Sequence, residues 1–334
     1  MRKRNLIASI VVIICSLILG RMYLYYQHSS TENAYDVYIN LKKNTNIEDL
    51  TKQLQEKNVI ESKVPFMYYV KIMGLKENVE DVNFIIKPKT KLTRLITKLK
   101  DGKSEFIVIT IPEGYTLYQI ASKLEESNLI KKEDLLDDKL NVLKNNTLIL
   151  SKKNVYYDLE GYLFPDTYFI LNGTTKDEIT NIMVNRFKTA FPNKYVMKAK
   201  ELGLDVNEVI TIASLIEKEA ANDSDRSRIA GVIYNRLKKE MPLQVDAAVI
   251  YATTKGKKSM DKVYYKTLKV ESKYNNYLHV GLPPGPIASP GKASIQAALY
   301  PEENDYLYYV ASPSGHVFSK TYNEHLKNVK KYIK

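Results

Sequence analysis

The sequence predicts an α+β protein with an N-terminal transmembrane helix, a repeated strand-and-helix region and then a mixed α+β domain. Three observations predict it. A long uncharged apolar segment opens the chain, a pattern of apolar and turn residues recurs at a fixed offset, and a breaker-free apolar helix later ends in Glu217-Lys218-Glu219. At 334 residues the chain is long enough for two globular units plus an anchor.

The anchor comes first. Leu6 to Gly20 carry no charge, and apolar or aromatic character resumes beyond Arg21 through Tyr26. Asn5 to Tyr26 as helix would reach about 33 Å, against a hydrocarbon core of about 30 Å. Arg21 can snorkel, and the tyrosines suit the interfacial belt. Arg2, Lys3 and Arg4 precede the run while Glu32 and Asp36 follow it, so the positive-inside rule puts residues 1–4 in the cytoplasm, 5–26 in the membrane and the rest outside. Cleavage as a signal peptide after Gly20 would leave bulky Ile18 where a small side chain is wanted. Ile14 likewise argues against lipid attachment at Cys15.

Residues 35–150 hold the repeat. Ile47, Leu50, Leu54, Val59 and Ile60 correspond to Leu117, Ile120, Leu124, Leu129 and Ile130 at an offset of 70 residues, and Glu56 and Asn58 recur as Glu126 and Asn128. Each copy opens with period-two alternation (Val37, Ile39, Leu41 and Ile107, Ile109, Ile111) and continues into a short amphipathic helix. Phe84 to Ile86 and Leu92 to Leu99 read as a further strand and helix between them. Small βα units of this kind resemble LysM modules, which bind cell-wall glycan; a duplicated spacer fits the same pattern.

Residues 151–334 form the remaining domain. Asp205 and Glu208 make a capping-box start, and Val209, Ile210, Ile212, Ala213, Leu215 and Ile216 follow, so this helix is buried on nearly every side. It delivers Glu217 and Glu219 at its end. Residues two apart on a helix point about 200° from each other, so the two cannot form a facing pair. Glu217 continues the stripe Ile210, Ala213, Ser214, Ala220 and Ala221, a mostly small-residue face with room for a bulky ligand, whereas Glu219 shares its side with Ile212, Leu215 and Ile216. Periodicity favours Glu217 only slightly, and a surface glutamate at a helix end fits either.

Composition narrows the chemistry. The formal charge of +12 favours anionic partners, but the lysines are dispersed and no nucleic-acid motif is present, so no nucleic-acid partner is expected. One cysteine excludes an intramolecular disulfide, and His28, His279, His316 and His325 show no ligand spacing. No metal and no cofactor are expected.

Leu159-Glu160-Gly161-Tyr162-Leu163-Phe164-Pro165-Asp166-Thr167-Tyr168, Ala213-Ser214-Leu215-Ile216-Glu217-Lys218-Glu219, Tyr234-Asn235-Arg236-Leu237, Leu243-Gln244-Val245-Asp246 and Gly281-Leu282-Pro283-Pro284-Gly285-Pro286-Ile287 occur in this order. With them the chain resembles the YceG-like endolytic murein transglycosylases over almost its whole length. It departs from that family's usual pattern at Ser272-Lys273-Tyr274-Asn275-Asn276-Tyr277, where Lys273 and Asn276 are atypical.

The resemblance implies a lyase that cuts the bond between N-acetylmuramic acid and N-acetylglucosamine in nascent peptidoglycan and leaves 1,6-anhydro ends. It implies Glu217 as the catalytic acid and Asn235, Gln244, Asp246 and Asn275 as glycan-binding candidates. One carboxyl suffices if the muramyl C6 hydroxyl attacks C1, because the same glutamate serves as acid and then as base. Burial against an apolar wall would keep such an acid protonated, as it does for catalytic glutamates with pKa near roughly 6. Expected partners are glycan strands, the membrane crossed once, and peptidoglycan synthases (penicillin-binding proteins) with their elongation machinery. The competing readings are a hydrolytic muramidase using a second carboxylate such as Asp246, and an inactive glycan-binding scaffold.

Overall fold

A computed structural model describes residues 2–75, 78–79, 82–137, 153–258, 260 and 263–333. The chain divides into two compact units, Met1–Val108 with Phe169–Gly173, and Ile109–Tyr168 with Thr174–Lys334. The expected boundary at 150/151 lies outside the described residues, and the division falls at 108/109 instead, which puts most of the second repeat copy in the second unit.

The first unit begins with α1 (Arg2–His28), of which Leu6–His28 is long and apolar enough to cross a membrane. β1 (Val37–Leu41), β2 (Thr45–Asn46), α2 (Ile47–Glu56), α3 (Lys63–Ile72), β3 (Asn78–Val79), β4 (Val82–Ile86), α4 (Leu92–Asp101) and the start of β5 (Phe106–Thr110) follow. β1 pairs antiparallel with β4, Ile39 opposite Phe84 and Leu41 opposite Val82. The period-two pattern thus sends Ile39, Leu41, Phe84 and Ile86 inward, against Leu50, Leu54, Phe66 and Leu95. Tyr26 of α1 joins this core.

The second copy consists of β5, α5 (Leu117–Glu126), α6 (Lys132–Leu136) and β6 (Thr167–Leu171), with β5 paired to β6. The repeat offset holds in detail: α2 and α5 begin and end 70 residues apart, Asn46 and Thr116 cap them, and Asn58 and Asn128 turn out of them at φ 53° and 54°. Asparagine is a side chain that tolerates this left-handed conformation. The second copy's helix packs into the second unit for an identifiable reason. Glu160 accepts from the Leu117 N–H at 2.9 Å and from the Tyr251 hydroxyl at 2.9 Å, fixing the start of α5.

The second unit continues with α7 (Lys176–Ala190), α8 (Asn193–Glu201), α9 (Val206–Glu219), α10 (Asp223–Lys238), α11 (Asp246–Thr254), α12 (Lys292–Leu299), the hairpin β7 (Tyr308–Ser312) and β8 (Gly315–Ser319), and α13 (Tyr322–Tyr332). α9 is its axis. The predicted capping box forms, Glu208 N–H donating to Asp205 Oδ1 at 2.9 Å and Asp205 N–H to Glu208 Oε2 at 2.8 Å. Ile212, Leu215 and Ile216 are fully buried, each contributing roughly 1.5–3 kcal/mol.

Two of the sequence motifs, Leu159–Tyr168 and Gly281–Ile287, brace this helix. Tyr162 donates to Asn207 Oδ1 at 3.0 Å, Asn207 in turn to Pro284 O at 3.2 Å, and Ile287 N–H to Ser214 Oγ at 3.1 Å. Gly161, at φ 84°, sits where a Cβ would come within 2.6 Å of Pro286 Cβ. The two loops therefore close on α9 only with glycine there.

Candidate active site

α9 ends by sending its two glutamates to opposite sides, as its period requires. Glu217 turns toward the N-terminus of α12. Its Oε2 accepts the Gly291 N–H at 3.0 Å and the Ser294 hydroxyl at 2.7 Å, and Arg226 Nη1 lies 3.6 Å away. Arg226 also donates to Ser294 Oγ at 2.7 Å and to Asp223 Oδ1 at 3.0 Å. The Glu217 side chain is 8% exposed. It is enclosed, as the sequence predicts, but by donors and a guanidinium rather than by an apolar wall.

Glu219 turns the other way and lines a cleft of about 310 Å³ formed with the start of α5 (Thr116, Gln119) and the inner face of α11 (Asp246, Ile250, Thr254). Burial pushes its carboxyl pKa above the ordinary carboxylate value, and the Asp246 charge adds to the shift. The Tyr309 hydroxyl, which donates to Glu219 Oε2 at 3.0 Å, and His316 act in the opposite sense. Asp246 is itself held by the Tyr277 hydroxyl at 2.5 Å. A carboxyl whose pKa burial raises and a second carboxyl thus share one cleft, the kind of pairing from which acid roles arise.

This geometry gives Glu217 and Glu219 different surroundings. Glu217 Oε2 accepts two hydrogen bonds, faces the Arg226 guanidinium at 3.6 Å, and joins α9 to α12. Glu219 has the cleft, the desolvation and the orienting hydroxyl. Helix period fixes the angle between the two glutamates but not the side on which a cleft opens.

The four binding candidates separate. Asp246 lines the cleft. Gln244 is exposed beside it, at φ 53°, its N–H bonded to Asn276 O at 3.1 Å and its Oε1 3.4 Å from Arg236 Nη1. Asn235 spends its amide on Asn304 O at 2.8 Å and Tyr306 O at 3.0 Å, tying α10 to the approach of β7. Asn275 is fully buried, donating to Leu268 O and Val270 O and accepting from Tyr277 N–H. The amides of Asn235 and Asn275 thus fasten loops.

Sequence reasoning missed Tyr277, Tyr309 and Glu113. Strand alternation is the signal that separates Tyr309 from Tyr308, which packs on Tyr322 and His325. Glu113 lies against Gly291, where a Cβ would fall 1.9 Å from Glu113 Oε1. Burial raises the Glu113 pKa, and the neighbouring Glu217 charge raises it further while Arg226 opposes. Backbone bonds from Gly114 N–H to Ser289 O and from Ser289 N–H to Tyr115 O, both 2.8 Å, fasten this loop to the one bearing Gly291. His316, with Nδ1 3.0 Å and backbone N–H 2.9 Å from Asp225 Oδ2, is buried and set edge-on to Tyr309, consistent with a structural histidine.

The family model described as YceG-like matches residues 39–331. A Bacillus subtilis protein named endolytic murein transglycosylase is 38% identical over 95% of this chain and 91% of its own length. A Streptococcus pneumoniae protein of the same name is 32% identical over 89% of this chain and 58% of its own. The crystal structure of a YceG-like protein from Listeria monocytogenes superposes with a TM-score of 0.64 at 35% identity, covering 87% of this chain and 98% of that one.

Proposed function

The chain belongs to the YceG-like family, and from that premise we propose that it is an endolytic murein transglycosylase, a lyase that cuts the N-acetylmuramic acid to N-acetylglucosamine bond within nascent strands. The observation that carries the mechanism is the Glu219 carboxyl, desolvated and oriented by Tyr309 on the cleft that also holds Asp246. Protonated Glu219 gives its proton to the glycosidic oxygen as the C1–O bond breaks. The muramyl C6 hydroxyl then closes on C1 and returns its proton to Glu219, leaving a 1,6-anhydro end and consuming no water. Growth of the strand stops there.

Among the described residues, Leu6–His28 is a helix long and apolar enough to span a membrane. The basic residues before it support a cytoplasmic N-terminus and an extracytoplasmic active site, where peptidoglycan synthases are the proposed neighbours. The β-α-α-β order of residues 37–86, with antiparallel outer strands, supports a LysM-like role in holding or spacing glycan.

A second reading has its own observation. Glu219 and Asp246 on one cleft also suit a hydrolytic muramidase, in which Asp246 would activate water. Mass spectrometry of digested uncrosslinked glycan decides, because anhydro ends are lighter than hydrolytic ends by one water. Anhydro products are expected, and products ending only in reducing sugars would replace the lyase reading with the hydrolytic one.

A further inference from the structure

α3 is fastened to the last turns of α1. Tyr69 stacks on Tyr26 with ring centroids 5.0 Å apart and lies 6.1 Å from Tyr23, and Gln27 Nε2 is 3.8 Å from Met73 Sδ at the end of α3. Tyr23, Tyr26 and Gln27 all fall within the span candidate Leu6–His28. A helix fixed at that depth lies at the edge of the hydrocarbon, where tyrosines collect.

Its outer face fits that level. Phe66, Tyr69 and Val70 are buried in the unit, while Val64, Tyr68 and Ile72 are 48%, 52% and 51% exposed. Spaced four apart, they form one apolar stripe along the helix. Lys63 and Lys71 are exposed on the same helix and long enough to keep their ammonium groups in the headgroup layer. In water such a stripe would have no cover.

A second layer lies just beyond the span. Leu92 N–H donates to Ser29 O at 3.0 Å, Thr31 N–H to Thr90 O at 2.8 Å, and Thr90 N–H to Thr31 Oγ1 at 3.1 Å, so the loop 87–91 is held three residues or fewer from the end of α1. Lys87, Lys89, Lys91 and Arg94 line a cleft of about 810 Å³ there, are exposed, and make no ion pair among the described residues. Apolar stripe, tyrosines and unpaired cations follow one another outward in the order of acyl chains, interface and phosphates.

We propose that the first unit is seated on the outer leaflet of the bilayer, with the α3 stripe among the upper acyl chains and the Lys87–Arg94 cluster on the phosphates of anionic lipid headgroups. This fixes the unit against the membrane rather than leaving it to swing on a tether. The proposal rests on α1 spanning the bilayer, and the test separates the two.

The chain contains no tryptophan, so single substitutions report depth without background. The full-length protein is reconstituted in bilayers carrying brominated lipids, as Tyr68→Trp, as Leu19→Trp within the span, and as Tyr35→Trp, which is 83% exposed in the same unit. Tyr68→Trp should emit at shorter wavelength than Tyr35→Trp and be quenched by bromines near the headgroup end, with Leu19→Trp quenched by deeper bromines and Tyr35→Trp only by aqueous iodide. Shallow quenching of Tyr68→Trp should strengthen when phosphatidylglycerol is included, and Lys87→Glu with Lys89→Glu and Lys91→Glu should abolish that increase. Lipid quenching at Leu19→Trp combined with iodide quenching alone at Tyr68→Trp would overturn the seating and leave the span intact. Absence of lipid quenching at Leu19→Trp would overturn both. An unchanged response to phosphatidylglycerol would overturn the assignment of the cations.

Discussion

Tyr309, on the β7–β8 hairpin, donates its hydroxyl to Glu219 at the end of α9 across 3.0 Å. The bond holds the carboxyl on the side of the helix opposite the Glu217 clamp. It also opposes the effect of burial, because a donor favours the ionised form. Tyr309 thus orients the acid at some cost to its proton affinity.

A pair of substitutions tests this balance with opposite signs. An acid must carry its proton, so kcat/KM for glycan cleavage falls as pH rises through the pKa of Glu219. Tyr309→Phe removes a donor to the anion and should move that alkaline limb to higher pH. Asp246→Asn removes a neighbouring negative charge that disfavours ionisation and should move it to lower pH. Shifts in the same direction, or none, would mean that Glu219 is not the group being titrated.

The close approach at Gly291 is to the end of a side chain, and its φ of −75° is open to any residue. Gly291→Ala would place a Cβ on the Glu113 carboxyl, which the flexible, exposed Glu113 side chain can swing away. A loss of at most about 1 kcal/mol is expected in chemical unfolding. Glu113→Ala in the same chain should restore most of it, the coupling a double-mutant cycle detects.

Glu160 gives the fold a pH dependence of its own. Burial raises its pKa to about 8, although the Leu117 N–H and the Tyr251 hydroxyl favour the anion. An unfolded chain holds a glutamate pKa near 4.5, so the folded state binds the extra proton between the two values and stability falls as pH rises from about 4.5 to about 8. Thermal unfolding of Glu160→Gln should lack that decline. A wild-type midpoint that climbs over the same interval through Glu160 would contradict the assignment.

How much was legible depended on periodicity. The apolar N-terminal helix, the capping box at Asp205 and the 70-residue offset between α2 and α5 are local patterns, and the structure shows each of them. The unit boundary was not local. It depends on Glu160 capturing the start of α5 from 43 residues away in sequence. The surroundings of the two glutamates were not local either, because the placement of α12 gives Glu217 its donors and the hairpin gives Glu219 the Tyr309 hydroxyl. Asn235 and Asn275 are polar residues in distinctive motifs whose amides are consumed by carbonyls distant in sequence or hidden in a loop.

The most direct measurement is glycan cleavage by Glu219→Gln beside Glu217→Gln, with folding of each verified by thermal unfolding. Glu219→Gln should stay folded and lose at least ~10²-fold in rate. Glu217→Gln should keep most of the rate and lose about 1–3 kcal/mol of stability, as Arg226 loses a charged partner. Full activity in Glu219→Gln, with activity abolished in a well-folded Glu217→Gln, would contradict the account.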